Sequence, residues 1–338
     1  MRISTIIPAY NRADLIGETL RSVLSQTRPP SEVIVVDDGS SDGTCDVISE
    51  QFGNAVILLR QKNSGAGAAR NAGLARSTGE IINFQDSDDL SSLNTYEMQG
   101  AAIEKGADMA YGPWMKTRFH GRRLDPDPFV FQQGPMPDVR RLSVHTLMLA
   151  WVTVFQPCLF RRSVLEAAGP YRTDLAPSED MELAYRISRV TNKLVHTPDT
   201  VLLYRLHPEN QVSQQNLAKR FIDGANLWCL LQKYAQSRDD LTFWDRTLFQ
   251  VKKLEVARQV RPYSQEKADE LEKGSHALHQ LVRPLHSLGL RAGRKLRKIR
   301  TGAPESAMFA LGALRERQRS EIERLGYEVP ATRASAGT

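Results

Sequence analysis

Three carboxylates, Asp86, Asp88 and Asp89, fall within four consecutive residues, with Ser87 between the first two. Crowded at one place they repel, and a divalent cation relieves that repulsion. Hard oxygen ligands suit Mg²⁺ or Mn²⁺. The spacing does not continue as an EF-hand, because the required glycine and distant glutamate are missing. Read alone, the same residues also make a solvated acidic loop ahead of a helix. A second acidic pair, Asp37-Asp38, opens the run Asp37-Asp38-Gly39-Ser40-Ser41-Asp42-Gly43-Thr44. One of these carboxylates can accept the N–H of a uracil edge. The run also suits a turn at Asp38-Gly39 and a helix cap from Ser41 or Asp42.

Four further clusters carry polar chemistry. Pro8-Ala9-Tyr10-Asn11-Arg12 closes the first apolar run. Asn63-Ser64-Gly65-Ala66-Gly67-Ala68-Ala69-Arg70-Asn71-Ala72-Gly73 resembles a dinucleotide-binding glycine loop but fails the test, since Arg70 stands where the third glycine belongs. No Gly-Lys-Ser/Thr follows to make a P-loop. The glycines suit close packing at a helix start, while Arg70 either reaches a diphosphate or pairs with the Asp37-Asp38 cluster. Pro177-Ser178-Glu179-Asp180 opens a helix, where a serine cap and early acids suit the helix dipole. Finally, His207 in Tyr204-Arg205-Leu206-His207 lies past an apolar run. A lone histidine is usually structural, but beside an acidic cation loop it could be a third ligand.

The elements that must position these groups alternate. Short apolar runs at Ile3–Ile7, Val33–Val36, Ala55–Leu59 and Glu80–Phe84 predict strands. Asp14–Gln26, Asp42–Phe52, Ala66–Arg76 and a stretch near Leu93–Lys105 predict helices. Continuous apolar strands between helices imply a parallel sheet covered on both faces, a doubly wound α/β unit. Ligands in such sheets bind beyond the carboxyl ends of the strands. That places the chemistry just after Ile7, Val36 and Phe84, where the unusual residues lie. Residues 121–138, rich in Pro, Gly and charge, predict a long loop. Val152–Phe160 predicts a strand, Glu179–Val190 a helix, and Leu194–Leu206 a strand pair around Pro198-Asp199. Beyond about residue 213 the strand signals fade, and Leu227, Leu230, Leu231 and Tyr234 could share one helical face. The division expected is 1–212, with a nucleotide-sugar-binding half at 1–112 and an acceptor half at 113–212. A helical region at 213–330 and a disordered tail at 331–338 follow.

Taken in order, these motifs resemble the inverting family 2 glycosyltransferases with the GT-A fold, a Rossmann-like, mostly parallel α/β sheet. The similarity covers about residues 2–213. It rests on Ile-Pro-Ala-Tyr-Asn-Arg, Val-Asp-Asp-Gly-Ser-x-Asp-Gly-Thr, Ala-Arg-Asn-x-Gly, Asp-Ser-Asp-Asp, the Glu-Asp helix start and Tyr-Arg-x-His. The resemblance implies that Pro8, Ala9, Tyr10 and Arg12 line the nucleotide pocket, with Tyr10 stacking near the base. It implies that Asp38 holds the uracil edge beside Asp37, and that Arg70 approaches the diphosphate or ribose. Asn63, Gly67 and Ser87 are further donor-site candidates. Asp86 lies near the ribose or sugar, and Asp88 with Asp86 binds Mn²⁺ or Mg²⁺. His207 completes the metal–diphosphate site. Asp180 matches the general base, with Glu179 as its neighbour. The donor implied is a nucleotide sugar, UDP-linked first. Gln85 and Leu93 depart from residues common in the family, Leu and Pro respectively, and remove no ligand.

Hydrophobic residues make up 41% of the 338 and charged residues 25%, the mix of a soluble globular protein with a sizeable core. The net charge of +6 favours anionic partners. Nucleic acid is not expected among them, because no recognised module or aromatic interleaving accompanies the charge. Three scattered cysteines suit a reducing compartment, and no apolar stretch approaches a membrane span. A cytoplasmic protein is expected, with the inner face of the cell membrane as a peripheral site. That site is suggested by Arg291, Arg294, Lys295, Arg297, Lys298 and Arg300 among Leu288, Leu290, Leu296 and Ile299. The same stretch also suits packing on the catalytic domain or on another copy of the chain. Acceptors open at this level are a glycan, a lipid-linked sugar, a peptide or a small molecule. Trp114 and Trp151 suit sugar stacking as well as a core. Rival classes are a nucleotide-sugar-binding protein without catalysis and a peripheral membrane or assembly module. The intact Asp180 favours the transferase.

Overall fold

A computed structural model describes residues 1–132, 154–175, 178–207, 217–237, 239, 243–273 and 314–329. The basic stretch around 291–300, Trp151, residues 133–138 and the tail at 331–338 lie outside the described residues. In chain order the strands are β1 (Ile3–Ala9), β2 (Glu32–Asp37), β3 (Ile57–Arg60), β4 (Ile81–Phe84), β5 (Leu90–Ser91) and β6 (Met109–Tyr111). Then come β7 (Trp114–His120), β8 (Arg123–Gln132), β9 (Cys158–Arg161), β10 (Leu194–His196) and β11 (Leu202–Arg205). The helices are α1 (Ile16–Leu24), α2 (Thr44–Phe52), α3 (Ala66–Arg76), α4 (Thr95–Glu104), α5 (Arg162–Ala168) and α6 (Glu179–Val190). They continue as α7 (Leu217–Gln236), α8 (Phe243–Val260), α9 (Gln265–Glu272) and α10 (Glu316–Arg324).

Seven strands form the main sheet in the order β10-β6-β9-β4-β1-β2-β3. β1 is buried along its whole length and pairs in parallel with β2 and β4. Its residues alternate between the two layers. Ile3 and Ile7 join Leu20, Val23 and Tyr96 on one face, while Ile6 packs with Ile82, Phe84 and Phe160 on the other. This two-sided burial is why the strands read as unbroken apolar runs. On the second face α3 sits close because Gly73 has no side chain: a Cβ there would lie 2.4 Å from Ile6 Cγ2. The strand β9 runs antiparallel between β4 and β6, so the sheet is mostly but not wholly parallel.

A second sheet, in the order β5-β11-β7-β8, stands beside the first. Here the sequence-based expectations need correction. Residues 123–132 are not loop but strand, folded back on β7 through a turn at Gly121, whose φ is 58°. The prolines that suggested a loop lie on an edge strand whose register with β7 is irregular between Met115 and Thr117, and edges and bulges are where a strand tolerates proline. Of the strand expected over Val152–Phe160, residues 152 and 153 lie outside the described residues, and the strand runs from Cys158, because Phe155–Pro157 form a turn closed by the Cys158 N–H on the Phe155 carbonyl at 3.1 Å. The two strands around Pro198-Asp199 do not pair with each other. The turn between them, closed by Thr200 on Thr197, carries the chain from the large sheet to the small one. β3 also starts two residues late, after a short 3-10 turn at Gly53–Ala55.

Helices α7, α8 and α9 bury Leu227, Leu231, Val256, Ala257 and Leu271 together and meet α6 through Tyr185. Tyr185 stacks on Tyr234 with ring centroids 5.6 Å apart. Residues 314–329 do something different. Leu314 and Ile322 pack on Leu90, Met115, Leu124 and Leu203 of the second sheet, and Glu328 pairs with the chain at Arg122–Leu124. Among the described residues no helix is long and apolar enough to cross a membrane.

Candidate active site

The carboxyl ends of β1, β2 and β4 converge, and the predicted residues come with them. β1 extends past Ile7, so Pro8 and Ala9 are strand residues, both buried, paired with Val36 and Asp37. Asn11 then takes a left-handed backbone with φ 52°, a conformation Asn tolerates well. Its side chain receives the Ser41 N–H at 2.9 Å, and its own N–H donates to Ser40 at 2.9 Å. This turn leaves Tyr10 at the surface, 46% exposed. Asp42 receives the Thr44 N–H at 3.0 Å in a local turn, but the N-cap of α2 is Gly43 and no side chain caps the helix, so the cap expected from Ser41 or Asp42 is not made.

Asp37 and Asp38 are both buried. Asp37 receives the Ser40 N–H and faces Arg60 at 3.6 Å. Asp38 is more heavily engaged than expected. Its carboxylate accepts from Gln61 at 2.7 Å and from the N–H groups of Ser64 and Gly65 at 2.8 Å each. Three of its roughly four acceptor positions are filled by the chain itself. Gly39, with φ 82°, is the point of closest approach, where a Cβ would come within 2.9 Å of the Asn63 nitrogen. Asn63 is exposed at that edge. Gly67 is a packing glycine: a Cβ would meet the Arg172 carbonyl at 3.1 Å and Glu179 at 3.7 Å.

Beyond β4, one ligand atom from each of Asp86, Asp88 and Asp89 can be chosen so that all lie within 4.8 Å of one another. Ser87 is buried between them. His207 Nε2 stands 3.0 Å from Asp88 Oδ2, and Arg12 Nε is 3.4 Å from the same oxygen. Asp89 is buried with one oxygen on the Arg205 N–H at 2.9 Å and the other, Oδ2, without a hydrogen bond. Its own burial, and then Asp88 and Asp86 beside it, push its pKa well above the usual carboxylate range. An orphaned carboxylate oxygen among hard oxygen donors, with an imidazole at the rim, is a donor set that fits a divalent cation.

Arg70 joins this loop to α6. Its guanidinium reaches Asp86 at 2.9 Å, Glu179 at 3.1 Å and Asp180 at 3.5 Å, and lies 5.3 Å from the Tyr171 ring centroid. Burial works against its charge, but Asp180, Asp86 and Glu179 more than offset it and raise its pKa. The expected pairing with Asp37-Asp38 is not made, and the expected contact with a diphosphate has to compete with three carboxylates. The reason is position: α3 presents Arg70 to β4 and α6. Ser178 does stand at the N-cap of α6 but makes no side-chain capping bond. Burial raises the pKa of Asp180 to about 7, helped by Glu179 and Asp86 and opposed by Arg70.

Glu179 Oε2 and Gln156 Oε1 are, like Asp89 Oδ2, buried without hydrogen bonds, and Asp180 Oδ1 has the 3.5 Å ion pair to Arg70. Each such group costs about 1–3 kcal/mol. Their gathering around Arg70 and the acidic loop marks a place shaped for polar ligands.

Several residues here were not picked out from sequence. Gln156 donates to Asp86 from the turn before β9. Gln85 is fully buried and braces the acidic loop, donating to the Asp89 carbonyl at 3.1 Å and accepting from Ser91 at 2.9 Å. Its departure from the family's Leu was the available signal. Arg205, two residues before His207, donates through Nε to the Asp88 carbonyl at 3.0 Å. Trp114, by contrast, is 5% exposed and packs near Tyr204, so it offers no stacking platform at the surface.

A mostly parallel sheet with an acidic loop after β4, an antiparallel β9 and a helical C-terminal region defines the GT-A class of nucleotide-sugar transferase folds. Solved structures agree. S. aureus TarS residues 1–349 in complex with UDP-GlcNAc superposes with a TM-score of 0.59 at 21% identity, covering 82% of this chain and 76% of that one. A mannosyltransferase from Pyrobaculum calidifontis, in complex with GDP-Man and Mn²⁺, gives 0.51 at 22% identity, covering 88% and 80%. The family model for glycosyl transferase family 2 matches residues 4–169. Glycosyltransferase AglE of Haloferax volcanii is 30% identical over 214 residues, 61% of this chain and 67% of AglE. The chain belongs to glycosyl transferase family 2, a family of transferase enzymes. Two further bacterial relatives are 44% and 41% identical over shorter stretches, and the chain spans only 29% and 40% of their length.

Proposed function

We propose that the protein transfers a sugar from a nucleotide-diphosphate donor, UDP-linked, to an acceptor hydroxyl with inversion at the anomeric carbon. The observation that carries this reading is the Arg70 bridge, which sets the acidic loop at Asp86 beside Asp180 and Glu179. A donor bound over the loop then presents its anomeric carbon toward a carboxylate able to act as base.

Asp180 takes the proton from the acceptor hydroxyl as its oxygen attacks the anomeric carbon. The bond to the diphosphate breaks on the opposite side, and the nucleotide leaves with the electron pair. No covalent enzyme intermediate forms. Arg70 and Glu179 hold Asp180 in place, and the exposed Tyr10 stacks on the base. Asp38 has one acceptor position left for a uracil N–H, with Asp37 behind it. Asp88, His207 and Asp86 would hold Mn²⁺ or Mg²⁺. When bound, such an ion offsets charge on the departing diphosphate. The UDP-GlcNAc bound by TarS and the Mn²⁺ bound by the Pyrobaculum enzyme support the donor class and the metal. The acceptor is a glycan, a lipid-linked sugar, a peptide or a small molecule. The three free cysteines support a cytoplasmic setting.

The test is UDP release from a panel of UDP-sugars, with Mn²⁺ or with EDTA, by wild type and Asp180→Asn. Turnover that EDTA stops and Asp180→Asn loses is expected. Equal turnover in the two proteins would remove Asp180 from the base role, and an α-linked product from an α-linked donor would remove inversion.

A further inference from the structure

The motif Tyr204-Arg205-Leu206-His207 contributes His207 to the site, but Arg205 makes more connections. Its side chain is 9% exposed. The backbone N–H of Arg205 donates to Asp89 at 2.9 Å, and Nε donates to the Asp88 carbonyl at 3.0 Å. The guanidinium lies 3.7 Å from the Phe119 ring centroid, and Nη2 pairs with Glu18 of α1. Arg205 thus holds both ends of the Asp88-Asp89 dipeptide. A buried guanidinium needs a counter-charge, and Glu18 supplies it.

Glu18 is 39% exposed, so by itself it is free to turn toward water. What fixes it comes from far along the chain. The Tyr327 hydroxyl donates to the same Glu18 oxygen at 3.1 Å, and the Tyr327 ring sits edge-on to Phe119 at 5.1 Å. The segment carrying Tyr327 is docked independently of this contact. Glu328 exchanges backbone hydrogen bonds with Arg122 and Leu124, Gln318 donates to the Pro198 carbonyl at 2.7 Å, and Ile322 is buried.

We propose that residues 314–329 are part of the donor site: Tyr327, acting through Glu18 and Arg205, holds the Asp88-Asp89 loop in the shape that binds a divalent cation. Tyr327, Glu18 and Arg205 are positioning residues, since none needs to touch the donor. The inference rests on the reading of Asp86, Asp88 and His207 as cation ligands. Outer-shell groups of this kind set how well a loop presents its ligands, and losing one weakens metal binding by about tenfold or more.

The experiment is calorimetric titration of Mn²⁺ into the full chain saturated with UDP, for wild type, Tyr327→Phe, Glu18→Gln and Asp88→Asn. Tyr327→Phe removes one hydroxyl and keeps the ring on Phe119, so the segment stays docked, which an unchanged melting temperature without metal verifies. Both relay variants are expected to bind Mn²⁺ about tenfold more weakly. Their UDP-sugar turnover is expected to recover at saturating Mn²⁺, a rescue that plain destabilisation would not give. Wild-type Mn²⁺ affinity in both variants, with Asp88→Asn no longer binding, would overturn the relay while leaving the metal site standing. No Mn²⁺ binding by wild type would overturn the metal site itself, and the relay with it.

Discussion

His207 Nε2 lies 3.0 Å from Asp88 Oδ2, although 119 residues separate them in the chain. Neither residue lies within a strand or helix, and both side chains are part-buried, 15% and 18% exposed. Together they place an imidazole against the central carboxylate of an acidic loop, with Arg12 on the same oxygen. This juxtaposition predicts that His207→Ala and Asp88→Asn share a phenotype. Each is expected to lower Mn²⁺-dependent UDP-sugar turnover by about 100-fold, the scale on which single groups that stabilise developing charge act. The double variant is expected to lose little more than either single one, as befits groups acting as a unit. Independent, multiplicative losses in a steady-state comparison would show that the two do not act on one ion.

Asp180 provides a pH signature. Burial raises its pKa to about 7, so in the free enzyme the base becomes competent as pH rises through neutrality. kcat/KM is expected to climb with one proton's slope below about pH 7 and to level off above it. Stability should run the other way. A carboxyl with a raised folded pKa favours folding while protonated, and that contribution is lost as pH rises from the unfolded carboxylate range through about 7. Asp180→Asn should therefore melt higher than wild type at pH 8 and alike at pH 4. An unchanged difference across that range would show that Asp180 ionises as an ordinary carboxylate.

Asp38 separates two roles that its position allows. Its three hydrogen bonds to Gln61, Ser64 and Gly65 make it the pin of the loop before α3. Asp38→Ala strands two backbone N–H groups, and a loss of about 1–3 kcal/mol in denaturant unfolding is expected. Hydrogen exchange at Ser64 and Gly65 should rise with it. Uridine binding, measured separately by calorimetry, should weaken as well if the remaining acceptor position meets the base. Full stability with lost uridine binding would make Asp38 a ligand residue and not a pin.

The parts of the fold that local pattern controls were legible in the sequence. Ala66–Arg76 and Glu179–Val190 form the helices their spacing predicts, and the strands that deliver Asp37 and Asp86 lie where the apolar runs put them. The clustered carboxylates were visible too, because charge crowded at a strand end is a local signal. What the spacing could not reveal was who answers each charge. Arg70 is nearer in sequence to Asp86 than to Asp38, but distance along the chain does not settle a long-range pairing, and the placement of α3 against β4 and α6 decides for Asp86. Asp38 in turn is satisfied by Gln61 and by two backbone N–H groups, which every residue but proline carries and no side-chain pattern announces. Pro126 and Pro128 argued for a loop, and the edge position of β8 with its irregular register against β7 accommodates them in a strand. Arg205 stood in a motif already singled out, yet its partners Glu18 and Phe119 come from elements with no chemical signature of their own.

The closing of the second sheet by Ile322 and Glu328 has a consequence in time. Leu90, Met115 and Leu203 share one buried cluster with Leu314 and Ile322, so part of their cover comes from late in the chain. At synthesis rates of about 5–20 residues per second, Ile322 follows Leu203 from the ribosome by roughly 6–24 s. Through that interval the nascent chain lacks the Ile322 part of the cover over this layer. The first half can be folded and still be sticky, and a message truncated before Ile322 yields a product open to capture by chaperones and proteases.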